Sequence, residues 1–246
     1  MITLIDASHV FWRNYFGTGS DVAAYEQTLD SFQWYWENCP RTALCCEGRN
    51  CFRFELFPEY KSNRKPKPQD AIDSLVAIQQ QAASWGCPIV ACDGLEADDI
   101  IATLVKQAFL EDVQILSNDK DLAQLVSPTV KLCGVRHMGP ADVLAKYGVK
   151  PEQMRDWLAM VGDAADAIPG CPNCGPGRAR DLLQKFGTLE AIRQVPDAEL
   201  AKVRGIGPKT LESLRAWDPT LALSLVTLRD DAPVDLATLW TNGEKE

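Results

Sequence analysis

Seven acidic side chains fall in short, separated groups: Asp6, Glu47, Glu96 with Asp98 and Asp99, and Asp119 with Asp121. Each group comes just after a short apolar run, at Ile2–Ile5, 42–46, 89–92 and 113–116. If those runs are parallel strands, their carboxyl ends share one sheet edge, where open α/β sheets place ligand sites. Carboxylates gathered there repel one another, and hard divalent cations relieve that repulsion through oxygen ligands. The chain has only two histidines, His9 and His137, too few and badly placed for a zinc site. The expected cofactor is therefore Mg²⁺ or Mn²⁺, as two or more ions. A pair of such ions about 3.5–4 Å apart activates water and stabilises the leaving oxygen of a phosphodiester. Asp6 or Glu47 alone has an ordinary alternative role, as a helix cap or turn residue. Five acids at two adjacent strand ends exceed what capping needs. A further pair, Asp163 and Asp166, lies three residues apart in VGDAAD, a spacing that puts both on one side of a helical turn.

The elements that must position these groups are legible as alternation. Strand-like runs at 2–5, 42–46, 89–92, 113–116 and 130–133 are separated by helical patterns near 22–38, 69–85, 97–109 and 120–126. This implies a mostly parallel sheet with flanking helices and right-handed crossovers. Beyond about residue 135 strand patterns stop, and short helices separated by Gly- and Pro-rich turns take over. The expectation is an α/β domain over 1–160 and an all-helical domain over 161–246, whose last dozen residues form a frayed tail.

Composition narrows the class. Apolar residues make up 46% and charged residues 24%, which excludes disordered, collagen-like and coiled-coil chains. The net charge of −9 argues against a simple basic nucleic-acid binder. Its distribution points the other way: net −6 over 93–121, +4 over 41–68 and +3 over 170–217. An acidic centre with two basic surfaces suits a metal-dependent phosphodiesterase, although either basic stretch alone also reads as a solvated face. Nine cysteines without a repeating framework, an N-terminus interrupted by Asp6 and Arg13, and no apolar run of 18 residues suggest a reduced, soluble, cytoplasmic protein with no membrane association.

Taken together, LIDAS (4–8), FRFELFPEYKSNRKP (52–66), GLEADDIIATL (94–104), SNDKDLAQLV (117–126), the GDxxD-x-IPG segment from 161 to 192 and GIGPKT (205–210) occur in a family's order. The chain resembles the 5′-nuclease family: flap endonucleases, phage 5′–3′ exonucleases and the 5′-nuclease domain of bacterial DNA polymerase I. The resemblance implies a PIN-like nuclease core followed by a helix-hairpin-helix domain. It implies that Asp6, Glu47, Glu96, Asp98, Asp99, Asp119, Asp121, Asp163 and Asp166 are metal ligands, with Glu47 departing from the family's usual Asp. It implies that Lys61 and Arg64, within YK-x-x-R, act in catalysis alongside Asp119 and Asp121 by neutralising the scissile phosphate, and that Tyr60 stacks on a base. A DNA-threading arch is expected over about 53–84, with Arg53, Lys65 and Lys67 among its DNA contacts. Arg13 matches a basic residue near the DNA.

In the second domain IPGCPNCGPGRA resembles the family's duplex-gripping turn. Gly170, Gly175 and Gly177 would let backbone approach phosphate, and Arg178 and Arg180 would add charge without sequence information. The family commonly holds K⁺ in this turn, so K⁺ is expected here too, although the usual GIGPK pattern is altered. Lys209, in a second hairpin-like element at 203–214, is a further expected DNA contact, with a plain helix-capping turn as the alternative reading of that element. Cys171 and Cys174 form a C-x-x-C unit without a second such pair, which favours small side chains filling a turn over a zinc site. The expected activity is metal-dependent 5′–3′ exonuclease or flap endonuclease cleavage of duplex or branched DNA, and of RNA primers, by a monomer. Two alternatives stay open: an RNA-cutting nuclease of the same acidic type, and a non-catalytic DNA-structure binder.

Overall fold

A computed structural model describes residues 1–134 and 136–240. Residues 241–246 of the expected tail lie outside the described residues. The first part of the chain runs β1 (Ile2–Asp6), α1 (Ala7–Thr18), α2 (Asp21–Asn38), β2 (Arg41–Cys45), α3 (Phe52–Leu56), α4 (Gln69–Ser84) and β3 (Ile89–Val90). It continues through α5 (Ala97–Gln107), β4 (Val113–Leu116), β5 (Val130–Cys133) and β6 (His137–Met138). Helices follow: α6 (Pro140–Tyr147), α7 (Met154–Val161), α8 (Pro176–Phe186), α9 (Leu189–Gln194), α10 (Asp197–Leu200), α11 (Pro208–Ala216) and α12 (Thr220–Val226).

The strands form one mixed sheet in the order β3-β2-β1-β4-β5-β6. Every pairing is parallel except β5 with β6. The antiparallel β6 departs from the expectation that strands stop near 135; at two residues it is too short to leave a periodic trace. The helix α1 has no counterpart in the sequence reading, because its apolar residues VFW and YF run almost continuously and mask a 3.6-residue period. The segment near 120–126 is a 3₁₀ turn over Asp121–Leu125 rather than an α-helix.

The chain forms two compact units. One comprises Met1–Phe52, Lys65–Gly139 and the chain from Leu228 onward; the other comprises Arg53–Arg64 and Pro140–Thr227. The boundary expected at 160 therefore fails. It would cut α7, whose Met154, Leu158 and Ala159 are buried and which packs on α8 and α12. The expected arch divides as well. Residues 53–64 belong to the helical unit, whereas α4 is a layer of the sheet unit, packed on α2 with Ala71, Leu75, Ile78 and Ala82 buried. That i, i+4, i+7, i+11 stripe is a core-facing pattern.

The core of the sheet unit includes Ile5, Phe11, Phe32, Leu44 and Ile78, each contributing about 1.5–3 kcal/mol on burial. The segment after Leu228 is no frayed end where it is described. Its backbone runs along α5 and is held at one-turn intervals. Asp99 Oδ1 accepts from Arg229 N (2.8 Å), Thr103 Oγ1 from Ala232 N (3.0 Å) and Gln107 Oε1 from Leu236 N (2.8 Å). Trp240 Nε1 then donates to the Thr42 carbonyl (3.1 Å).

Candidate active site

Parallel pairing of β3, β2, β1 and β4 brings their carboxyl ends to one edge, with neighbouring strands about 4.8 Å apart. Asp6 is the last residue of β1 and the N-cap of α1. Its Oδ1 accepts from His9 N (3.0 Å) and its Oδ2 from Ser117 Oγ (3.0 Å). Ser117, just past β4, also accepts from Asp119 N (3.1 Å), and Asp119 Oδ1 accepts from Asp121 N (2.9 Å). One hydroxyl thus joins the acids of β1 to those of β4. Sequence reasoning missed Ser117, although its place at the head of SNDKD was a usable signal.

Glu47 follows β2 and is exposed, with Lys67 Nζ 3.9 Å from its Oε2. The loop carrying it lies directly against the loop after β3. Gly48 N donates to the Leu95 carbonyl (3.0 Å), and a Cβ at Gly48 would stand 1.8 Å from the Cys92 oxygen. Glycine there permits the contact that sets Glu47 beside the loop leading to Glu96. Glu96, Asp98 and Asp99 open α5, and one carboxylate oxygen from each lies within 4.8 Å of the others. Asp99 is fully buried and accepts from Glu96 N through Oδ2 (3.1 Å) as well as from Arg229 N.

The electrostatics match the chemistry of an oxygen-only cation site. Burial, and then the charges of Asp119 and Glu47, push the Asp6 carboxyl from 3.8 up to about 7 against the opposing hydrogen bonds from His9 and Ser117. A divalent cation would reverse that balance. Among the described residues the set with closely grouped ligand atoms is Glu96, Asp98 and Asp99, carboxylates without His or Cys, as Mg²⁺ and Mn²⁺ prefer.

In the helical unit Asp163 and Asp166 do not share a helical turn. They lie in a tight turn closed by a bridge between Asp163 and Ile168. Asp163 Oδ1 accepts from Ala165 N (2.8 Å). The buried Asp166 carboxylate accepts from Arg64 Nε (2.5 Å) and Nη2 (2.9 Å), and the Asp166 carbonyl accepts from Lys61 N (2.9 Å). Asn63 Nδ2 donates to the Ala164 carbonyl (2.8 Å).

Several expected DNA contacts have other roles. Arg53 is 1% exposed, and its guanidinium donates to the carbonyls of Leu225 (2.8 Å) and Thr227 (3.3 Å) at the end of α12, so it is a structural cation rather than a surface one. Tyr60 is buried, its ring meets that of Phe54 in a T-shaped contact, and Lys61 Nζ lies 5.0 Å from its ring centre. Gly170 serves close packing: a Cβ there would meet the Val161 carbonyl at 2.4 Å. Arg178 joins the two hairpin turns, donating to the carbonyls of Gly205 (2.7 Å) and Asn173 (3.1 Å). The Asn173 carbonyl also accepts from Thr210 Oγ1 (3.3 Å), so two donors hold it and a K⁺ ion does not fit at that oxygen. Arg180 pairs with Asp181 (2.7 Å). Arg13, Lys65 and Lys209 are exposed, and Gly175 and Gly177 face open space. Lys67 Nζ lies 4.9 Å from the Trp12 ring centre. Cys171 and Cys174 are buried free thiols in the first turn.

Two family descriptions match the chain: "5′-3′ exonuclease, N-terminal resolvase-like domain" over residues 1–148, and "5′-3′ exonuclease, C-terminal SAM fold" over residues 149–243. DNA polymerase I of Rhizobium leguminosarum is 38% identical over 191 residues, covering 75% of this chain and 18% of that protein. The chain thus spans about a fifth of the polymerase relatives' length. Flap endonuclease Xni of Vibrio parahaemolyticus is 37% identical over 177 residues, covering 70% of this chain and 68% of that protein. A solved structure of the bacteriophage T5 D15 flap endonuclease with DNA and metal ions has the same fold. Its TM-score is 0.74 at 21% identity, over 93% of this chain and 88% of that one.

Proposed function

The chain belongs to the 5′-3′ exonuclease family, and from that premise we propose that it is a divalent-metal-dependent 5′-nuclease acting on 5′ ends and flaps of duplex or branched DNA, RNA-primed ends included. One observation carries the reading: acids follow four adjacent strands of a parallel sheet, all at its carboxyl edge. Asp6, Glu47, Glu96, Asp98, Asp99, Asp119 and Asp121 would hold Mg²⁺ or Mn²⁺. The bound ions would supply an activated water and stabilise the leaving oxygen.

The chain's own groups do the rest. Asp6 would be held ionised beside a bound cation, which would offset the burial and like charge that raise its pKa. The Ser117 hydroxyl keeps Asp6 and Asp119 in fixed relation. Lys61 and Arg64 bring positive charge to phosphodiester oxygens as negative charge builds. In-line attack by water leaves a 5′-phosphate. The exposed Gly175 and Gly177 at the start of α8 suit backbone contact with a duplex phosphate.

The test is cleavage of a labelled 5′-flap duplex, a blunt duplex and a single-stranded RNA, each with Mg²⁺ and with chelator. Mg²⁺-dependent release from the flap and the blunt 5′ end is expected. Preferential cutting of the RNA would favour the RNA-nuclease alternative. Duplex binding without cleavage under any divalent cation would make the chain a structure-binding protein.

A further inference from the structure

The segment carrying the basic pair is strained. Lys61 has φ +59°, a left-handed conformation that costs a non-glycine residue roughly 1–2 kcal/mol. Hydrogen bonds to side chains and backbone hold the segment onto the 163–168 turn, three of them on Asp166 and a fourth on Ala164. The Asp166 carbonyl takes the Lys61 N–H, and its two carboxylate oxygens take the Arg64 fork. The fourth runs from Asn63 to Ala164. The receiving turn is rigid. The Asp163–Ile168 bridge is hydrogen-bonded in both directions, and Gly162 and Gly170 pack so closely that a Cβ on Gly162 would stand 2.4 Å from Gly170 N.

We infer that Asp166 is a positioning residue for Lys61 and Arg64 rather than a metal ligand. Bidentate pairing compensates its carboxylate charge and fixes the plane of the guanidinium. A divalent cation on the same carboxylate would stand beside the positive charge of Arg64. The Asp166 side chain is 8% exposed and that of Arg64 45%, so the carboxylate is shielded from water while the guanidinium keeps an open face. Backbone and side chain of one residue thus set both members of the basic pair, one through its strained N–H and the other through its charge.

This assignment rests on the hydrolase reading above, and its test separates the two. Mn²⁺ binding to the metal-free full-length protein is measured by calorimetry for wild type, Asp166→Asn, Asp166→Glu and the double variant Asp119→Ala/Asp121→Ala. A positioning role predicts Mn²⁺ affinity within about threefold of wild type in both Asp166 variants, against a loss of about tenfold or more in the double variant. Flap cleavage should fall about 100-fold in Asp166→Asn and in Arg64→Ala. It should fall no further when the two are combined, because one coupled unit is broken either way, and Asp166→Glu should restore part of it. If Asp166→Asn fails to fold, the Mn²⁺ affinity of Asp166→Glu decides. A tenfold loss of Mn²⁺ affinity in the Asp166 variants, or multiplicative cleavage losses, would overturn the assignment. An inactive wild type would end the hydrolase reading instead. The coupling of Arg64 and Asp166 would then be read from melting temperatures, where equal shifts in both single variants and their double support it and additive shifts reject it.

Discussion

The acidic edge of the sheet unit and the basic side chains of the helical unit handle charge in opposite ways. At the edge, backbone topology collects like charges after four strands, and Asp6 bears the consequence with a carboxyl pushed up to about 7. In the helical unit, arginines expected to meet DNA already bond their own chain. Arg53 holds the end of α12, Arg64 holds Asp166, and Arg178 holds two hairpin turns together. The acids are therefore more concentrated than folding requires, and the bases double as structure. Substituting an edge acid that ties down no other segment should remove function and leave stability intact or improved, whereas substituting one of these bases should lower both.

The largest effect expected from this contrast is on cleavage. Asp119→Ala combined with Asp121→Ala should bring Mg²⁺-dependent flap cleavage to background while the protein melts at or above the wild-type temperature. Activity surviving the double substitution would refute the role of these acids. Next in size is Arg53→Met, which keeps the apolar stem but leaves two carbonyls without the guanidinium. At about 1–3 kcal/mol for each buried acceptor left unmade, urea unfolding should show a clear loss of stability. A neutral result would return Arg53 to the surface role its sequence position suggested.

Last is the effect of Asp6 on stability, whose sign is distinctive. The folded-state value of about 7 lies above the ordinary 3.8, so between those values the folded protein binds more protons than the unfolded chain. Metal-free stability should therefore fall as pH rises from about 4 to about 7. In Asp6→Asn that slope should flatten, leaving the variant more stable than wild type at pH 8 in chelator and equal to it near pH 4. Urea midpoints at the two pH values give the answer, and a wild-type curve that rises over the interval would show that the acids do not strain the fold.

Much of this was legible in the letters. Strand ends followed by acids gave the parallel edge, and the succession of short helices expected beyond residue 135 is present as α6 to α12, because apolar periodicity and Gly-Pro turns are local signals. What escaped the reading is tertiary. Nothing local says that the chain beyond Leu228 returns to α5, since Asp99, Thr103 and Gln107 receive backbone N–H groups that any sequence could supply. Nor does FRFEL announce that Arg53 is buried while Phe54 and Leu56 are exposed, an inversion set by the carbonyls at the end of α12. The Asp163–Asp166 spacing suggested a helix, yet Gly162 and the Asp163–Ile168 bridge fold it as a closed turn. Ser117 lay in plain view, but a serine gains meaning only once β1 and β4 are known to be neighbours.

Crystals grown metal-free, soaked in Mn²⁺ and measured for anomalous scattering test the central claim most directly. Two or more Mn²⁺ peaks should stand against carboxylates at the carboxyl ends of β1, β2, β3 and β4. An acidic edge left bare at saturating Mn²⁺, or peaks only at scattered surface carboxylates elsewhere, would contradict it.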